Sequence, residues 1–264
     1  MKINRPVRIT LAVLAVLAAL VWGAWLIALP GSLITGKLDR GLENGPVKIE
    51  FEGFRKGLFY SLKADGLRVF KASGDTEILY LEGLRAGLNV RSLFRFDPCL
   101  DFSAALAGGN IRGRACAKGA LDLDAEGVDL SGLGMESLIT GLRLGGKAWL
   151  EVHTVEGTGE ARFKVTGMNV LPYKYMGFSL PLDLLRQSRG LVLIDNGIAT
   201  VESATLEGDG IYARVKGKAG GGRVDMKLEI MPSEEVENSQ PYFKMLQMYQ
   251  VTPGLYEIPI NMPY

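Results

Sequence analysis

The first 30 residues differ in pattern from the rest of the chain. An uncharged apolar run extends from Ile9 to Leu29, and a helix of about 20 such residues crosses the hydrocarbon core of a bilayer. Three basic residues precede the run, Lys2, Arg5 and Arg8, and no acid occurs before Asp39. Because cytoplasmic flanks of membrane helices are enriched in Lys and Arg, the pattern places the N-terminus in the cytoplasm and the remaining chain across the membrane.

The alternative interpretation of this run is a cleaved signal peptide. Its apolar stretch is longer than the usual core of such a peptide, and Leu26-Ile27-Ala28 has a bulky residue where a cleavage site needs a small one. Trp22 and Trp25 stand near its end, and indole rings favour the membrane–water interface. We therefore predict an uncleaved anchor that tethers an extracytoplasmic domain.

Beyond residue 46 the apolar period changes to two. Val47, Ile49 and Phe51 alternate with charged residues, which is typical of a half-buried strand. Similar alternating stretches recur up to Met231 and are separated by Gly-containing turns. The pattern predicts an all-β fold, mostly antiparallel, with a few short helices after the single N-terminal transmembrane helix.

Four segments follow from these patterns. A less regular stretch from Gly132 to Leu144 separates two groups of strands, and a polar run follows Pro232. Pro241 is suited to the first position of a short helix. We predict a cytoplasmic tip and anchor (1–30), a first β-half (31–131), a second β-half (132–232), and a linker, short helix and extended tail (233–264).

The two cysteines lie in one predicted hairpin whose turn is Ala107-Gly108 or Gly108-Gly109, and we favour Ala107-Gly108, which makes Leu106 and Gly109 the flanking pair. With this turn, one strand register pairs opposite charges, places a large side chain opposite a small one, and brings the two sulfurs together. It pairs Cys99 with Cys116, Asp101 with Arg114, Ser103 with Arg112, Phe102 with Gly113, and Ala104 with Ile111. The alternative is two reduced, unrelated thiols; we predict a disulfide, which fits an oxidising compartment.

A second hairpin carries a predicted apolar face. With a turn around Gly220-Gly221, the expected pairs are Val215 with Met226, Ala213 with Leu228, and Ile211 with Ile230, while Arg214 meets Lys227. Six apolar side chains on adjacent strands form a patch larger than a soluble surface usually leaves uncovered. The rest of the domain, a protein partner or acyl chains must therefore lie against Ile211, Ala213, Val215, Met226, Leu228 and Ile230.

Motifs for catalysis, metals and nucleotides are incomplete. The G-x-x-x-x-G-K sequence of Gly141–Lys147 is followed by Ala148 instead of Ser or Thr. The acids between Leu121 and Glu126 lack the spacing of a calcium loop, and His153 is the single histidine. Because the net charge is +1, a basic nucleic-acid face is not expected. We predict a protein that is not an enzyme and that has no cofactor, metal, nucleotide or nucleic-acid partner.

Several short sequence segments, most of them covering a turn and the start of a strand, resemble those of a known family. They are Gly53–Leu58, Gly66–Val69, Leu206–Gly217 and the terminal Tyr256–Ile260. With the single basic-flanked anchor, the chain resembles type II secretion system protein N (GspN), and its late hairpins are similar to AsmA-like proteins. This resemblance implies a single-pass protein of the cell inner membrane with a cytoplasmic N-terminus and a periplasmic β-domain. It offers no catalytic residues.

Two functions follow from the resemblance. In the first, the periplasmic domain is an accessory protein-contact module that binds other type II secretion proteins. In the second, a curved AsmA-like sheet has an apolar inner face that binds or conducts lipids of the inner membrane. Alternating strands are compatible with both, since a closed core and an open groove have the same period.

Overall fold

The structure is a computed structural model, and it describes residues 47–57, 60–71, 77–133, 144–170, 173–175, 178–180 and 182–263. These ranges are dominated by strands. The strands are β1 (Val47–Glu52), β2 (Arg55–Lys56), β3 (Ser61–Lys71), β4 (Glu77–Leu88), β5 (Cys99–Leu106), β6 (Gly109–Cys116), β7 (Leu121–Asp129), β8 (Leu144–Val155), β9 (Thr158–Val170), β10 (Tyr173–Tyr175), β11 (Phe178–Leu180), β12 (Leu185–Asp195), β13 (Ile198–Gly208), β14 (Ile211–Gly220), β15 (Arg223–Pro232), β16 (Gln250–Thr252) and β17 (Leu255–Pro263).

Nearly all of these strands belong to one curved antiparallel sheet. Its order is β1-β3-β4-β5-β6-β7-β8-β9-β12-β13-β14-β15-β17-β16, with β2 added beside β3, while β10 and β11 form a separate hairpin. Most neighbours in the sheet are also neighbours in sequence, because short turns can join only antiparallel strands. The predicted all-β, antiparallel fold class is therefore correct for the described residues.

The helices of the described ranges are short. They are α1 (Val90–Leu93), α2 (Glu234–Ser239), α3 (Tyr242–Met245) and three 3₁₀ turns at Leu130–Gly132, Leu182–Leu184 and Leu246–Tyr249. Every one of them is too short or too polar to span a bilayer. The predicted anchor, residues 9–29, lies outside the described residues.

One prediction for the C-terminal segment is wrong, and two are confirmed. The polar run after Pro232 is not a linker, because it forms α2, where the Ser233 hydroxyl accepts a hydrogen bond from the Val236 N–H at 3.3 Å. The predicted extended tail is present as β17, which pairs with β15 along its length. The short helix predicted after Pro241 is present as α3.

The predicted boundary between residues 31–131 and 132–232 falls between β7 and β8. These two strands are hydrogen-bonded neighbours, with Leu123 opposite Val152 and Asp122 opposite His153. The described strands on both sides of the boundary therefore share one continuous sheet. Part of the connection, residues 134–143, lies outside the described residues.

The strand registers separate the sheet into an apolar and a polar face. One row of directly opposed residues, the apolar row, crosses twelve strands: Leu62, Ala86, Phe102, Gly113, Leu123, Val152, Ala161, Val192, Val201, Gly217, Met226 and Ile260. The adjacent row points to the other side and is mostly polar: Ser61, Gly87, Asp101, Arg114, Asp122, His153, Glu160, Leu193, Thr200, Lys218, Asp225 and Asn261. Period-two alternation thus places the apolar row on one side of the sheet and a mostly polar row, which includes Leu193, on the other.

Candidate functional site

The apolar face is the most extended feature of the described sheet. At a strand spacing of about 4.8 Å, eleven steps between twelve strands give an apolar row roughly 50 Å long. Two Phe rings of this face lie over cross-strand glycines. A Cβ on Gly113 would approach Phe102 to 2.3 Å, and one on Gly190 would approach Phe163 to 2.4 Å. The rings therefore lie close to the backbone of the neighbouring strand and form part of the floor of the face.

One long edge of the apolar face is covered. Three clusters of buried side chains lie at the same ends of the strands, and we call this edge the covered rim. The clusters are Leu106, Ala125 and Val128; Met168, Val170 and Leu185; and Tyr242, Phe243 and Tyr256. Leu133, which follows a 3₁₀ turn, packs on the first cluster, and α3 supplies two members of the third.

The opposite ends of the strands form the open rim. Tight turns at Glu156-Gly157, Asn196-Gly197 and Gly221-Gly222 connect the strands there. Toward the middle of the sheet and this rim, side chains of the apolar face become accessible: Leu150 is 37% and Leu100 is 36% exposed. The face is thus closed along one rim and accessible from the other.

The six apolar residues predicted in the late hairpin all lie on this face, but their predicted register is wrong by two residues. Val215 lies opposite Leu228 instead of Met226, and Ala213 lies opposite Ile230. The turn is centred on Gly221-Gly222, whose φ angles of 58° and 77° are both left-handed. Such a turn matches the twist of a hairpin. A shift of two residues preserves the face.

The shifted register places Arg214 opposite Glu229 on the polar face, instead of Lys227. The Arg214 Nε donates a hydrogen bond to Glu229 at 2.7 Å, and Lys227 lies 3.4 Å from the same carboxylate. Glu229 is only 7% exposed. Burial opposes its ionisation, but the two cations outweigh burial and hold the pKa of Glu229 below its ordinary value. These contacts with buried Glu229 stabilise the polar side of β14 and β15.

The cysteine hairpin has the predicted register. Cys99 lies opposite Cys116, Asp101 opposite Arg114, and Phe102 opposite Gly113. The two sulfurs are bonded at 2.07 Å. Asp97 places an oxygen near them, but a metal ligand must be a free thiolate. This group is therefore a structural crosslink at the open rim.

The polar face carries solvated charges. Arg114 pairs with Asp101 at 2.6 Å, and His153 contacts Asp122 across β7 and β8. The register neighbours of this His–Asp pair are Arg114 and Glu160, and neither is a nucleophile that His153 could activate. The arrangement is that of cross-strand ion pairs in solvent.

No family model, curated protein or solved structure matches the chain.

Proposed function

We propose that the protein holds lipid acyl chains against the apolar face of its sheet. The observation that carries this proposal is the apolar row, which continues over twelve strands beside an open rim. Monomeric soluble proteins rarely leave contiguous apolar patches of more than a few hundred Å² in contact with water. Acyl chains fit such a face, since their burial needs no hydrogen-bond partners.

The chain order supports a membrane source for these lipids. In our proposal the protein is a single-pass inner-membrane protein with a periplasmic sheet, and Ile9–Leu29 is its anchor. β1 is the first strand of the described residues, and the 17 residues 30–46 between it and the anchor span at most about 60 Å. The β1 end of the face therefore stays within reach of the bilayer.

The second candidate function is a protein-contact module of a type II secretion machine. The segments that resemble those of GspN support this context, and one of them forms a bend between β1 and β2, which both pair with β3. Gly53 is left-handed with φ of 60°, and Arg55 binds Asp65 at 2.7 Å. In this function the charged polar face would meet the other secretion proteins, and the apolar face would serve as core.

A pair of matched variants tests the lipid function. Leu150 lies on the apolar face, opposite Phe163, and Leu193 lies on the polar face, opposite Glu160. Both side chains are 37% exposed, so an Asp is equally solvated at either site. We expect Leu150→Asp to lower the phospholipid that co-purifies with the full chain several-fold and Leu193→Asp to leave it unchanged.

The measurement is lipid mass spectrometry after extraction of the purified protein, with thermal unfolding as the check on folding. Lipid bound around the anchor is the same in both variants and cancels in the comparison. Equal lipid content in the two folded variants would refute the lipid function. If in addition only Leu193→Asp reduced binding to secretion proteins, the second candidate would be favoured.

A further inference from the structure

The loop between β4 and β5 exposes two aromatic rings at the open rim. Phe94 is 81% and Phe96 is 89% exposed, the highest values among the large apolar side chains of the described residues. Val90 in the same loop is 58% exposed. Connections at a protein surface are usually polar, and clustered exposed apolar side chains mark an interaction site.

Hydrogen bonds fix the backbone of this loop. The Asn89 side chain accepts from the N–H groups of Arg91 and Ser92 at 3.1 and 3.3 Å, and it donates to Asp101 at 2.8 Å. The Ser92 hydroxyl accepts from the Cys99 N–H at 2.8 Å. The rings are therefore presented to solvent by an ordered frame next to the disulfide.

The conformation of Phe96 is unfavourable in isolation. Its φ angle is 53°, a left-handed value that a bulky residue rarely adopts. Backbone strain of this kind persists where the surrounding structure enforces it, and it often occurs at binding sites. We therefore infer that Phe96 is a functional position of the loop.

Positive charge accompanies the rings. Arg91 and Arg95 belong to the same loop. The backbone N–H of Lys118 donates to the Asp97 carboxylate at 3.1 Å, which places Lys118 next to the loop. Within the described ranges none of these three cations lies within ion-pair distance of an acid. Aromatic rings interleaved with unpaired cations are the composition of a membrane-surface contact.

We propose that this loop, Val90–Asp97, binds the surface of an anionic bilayer. Phe94 and Phe96 insert at the boundary between headgroups and acyl chains, while Arg91, Arg95 and Lys118 contact lipid phosphates. Each cation near such a surface strengthens binding about fivefold. The loop would hold the open rim against the membrane, and it does so whether or not the apolar face binds acyl chains.

Spin labelling of the full chain in vesicles tests this contact. Because Cys99 and Cys116 are bonded to each other, a nitroxide attached to Phe94→Cys labels a single site. Ile198→Cys is the matched control: Ile198 is 46% exposed and follows the Asn196-Gly197 turn on the same rim, six strands further along the sheet. Only protein that floats with the vesicles is measured.

In phosphatidylcholine vesicles containing phosphatidylglycerol, we expect the label at position 94 to collide more with oxygen than with a water-soluble nickel complex. The label at position 198 should show the reverse. Replacing both arginines (Arg91→Gln, Arg95→Gln), or omitting phosphatidylglycerol, should return the label at position 94 toward water. Equal nickel accessibility at positions 94 and 198 in the anionic vesicles would overturn the proposal. Protection of position 94 from nickel in native envelopes, but not in protein-free vesicles, would also overturn it, because the loop would then contact a protein.

Discussion

Glu229 shows how one buried charge can constrain the late strands. Replacing it by Gln removes the anion that neutralises Arg214 and Lys227. We expect a loss of about 1.5–3 kcal/mol in the free energy of unfolding, the usual worth of a hydrogen bond to a charged group. Glu257→Gln is the control, since Glu257 is more exposed and, among the described residues, forms an ion pair with Lys227 alone; it should cost less than about 1 kcal/mol.

The same residue predicts a pH dependence. Because the pKa of Glu229 is lowered in the folded state, its contribution is complete above its pKa in the unfolded chain, about 4.3. It is lost as the pH falls through the lower, folded value. Denaturant unfolding between pH 7 and pH 3 should therefore show a shallower acid loss for Glu229→Gln than for the wild-type chain. Parallel pH curves would contradict this role.

Contacts between residues were predictable in the cysteine hairpin, where the sulfurs, the charges and the side-chain sizes each favoured one register. Cys99 with Cys116, Asp101 with Arg114, and Phe102 over Gly113 each indicated the same register. The equivalent contact of Phe163 with Gly190 was not predictable. Their strands are neighbours in the sheet but are separated by residues 171–184 in sequence, so no short turn fixes their alignment.

At the scale of elements, the late hairpin shows the limit of periodicity. Three consecutive glycines, Gly220 to Gly222, permit two turns whose registers differ by two residues. Both turns place the same side chains on the apolar face, so alternation cannot separate them. The turn that forms has a central pair, Gly221-Gly222, in left-handed conformation, and it also opposes Arg214 to Glu229.

This turn gives a prediction about backbone conformation alone. A Cβ on Gly221 or Gly222 would meet nothing within 4 Å, so a substitution there has a conformational cost without a clash. We expect Gly222→Val to lower the free energy of unfolding by about 1–2 kcal/mol. Gly221→Asn should be close to neutral, since Asn-Gly suits this turn. Denaturant titration measures both, and an equal loss for both would argue against the left-handed turn.

Helix α2 was not predictable from apolar spacing. Its sequence, Glu234–Ser239, offers one large apolar residue, Val236. The signals that remain are the Ser233 N-cap and three acids in the first turn, both of which favour a helix start. Composition alone indicated a linker because acidic residues dominate the segment.

At the scale of the whole molecule, the sequence predicted strands and their alternating faces, and short turns implied antiparallel order. It predicted two β-halves with a boundary at residue 132, and the pairing of β7 with β8 joins the described strands of both halves into one sheet. It also could not distinguish a closed core from an open face. That difference depends on which segments cover the face. Among the described residues, Leu133 and α3 pack on the covered rim, while the tight hairpin turns at the open rim are too short to fold over the face.

The segment from Tyr242 to Tyr249 closes the β17 end of the face. Phe243 is 1% exposed and packs against Tyr256 with ring centroids 5.1 Å apart. Tyr256 lies opposite Ile230 on the apolar face, and its hydroxyl donates to Glu237 of α2. Burial, with this hydrogen bond, raises the pKa of Tyr256 to about 12, so the phenol stays neutral. Helices α2 and α3 are thus held against this end of the sheet by their contacts with Tyr256.

Loss of this closure is our last prediction. We expect Phe243→Ala to cost about 3–5 kcal/mol, the usual range for a buried Phe, and to raise amide hydrogen exchange in α3 and β17 before the rest of the sheet. Met248→Ala is the control from the same segment: Met248 is 80% exposed, and its removal should change stability by less than about 0.5 kcal/mol. If Phe243→Ala accelerated exchange uniformly over all strands, the segment would be part of a single cooperative core. If it changed neither exchange nor stability, the segment would not close the face, and the apolar face would be open at this end as well.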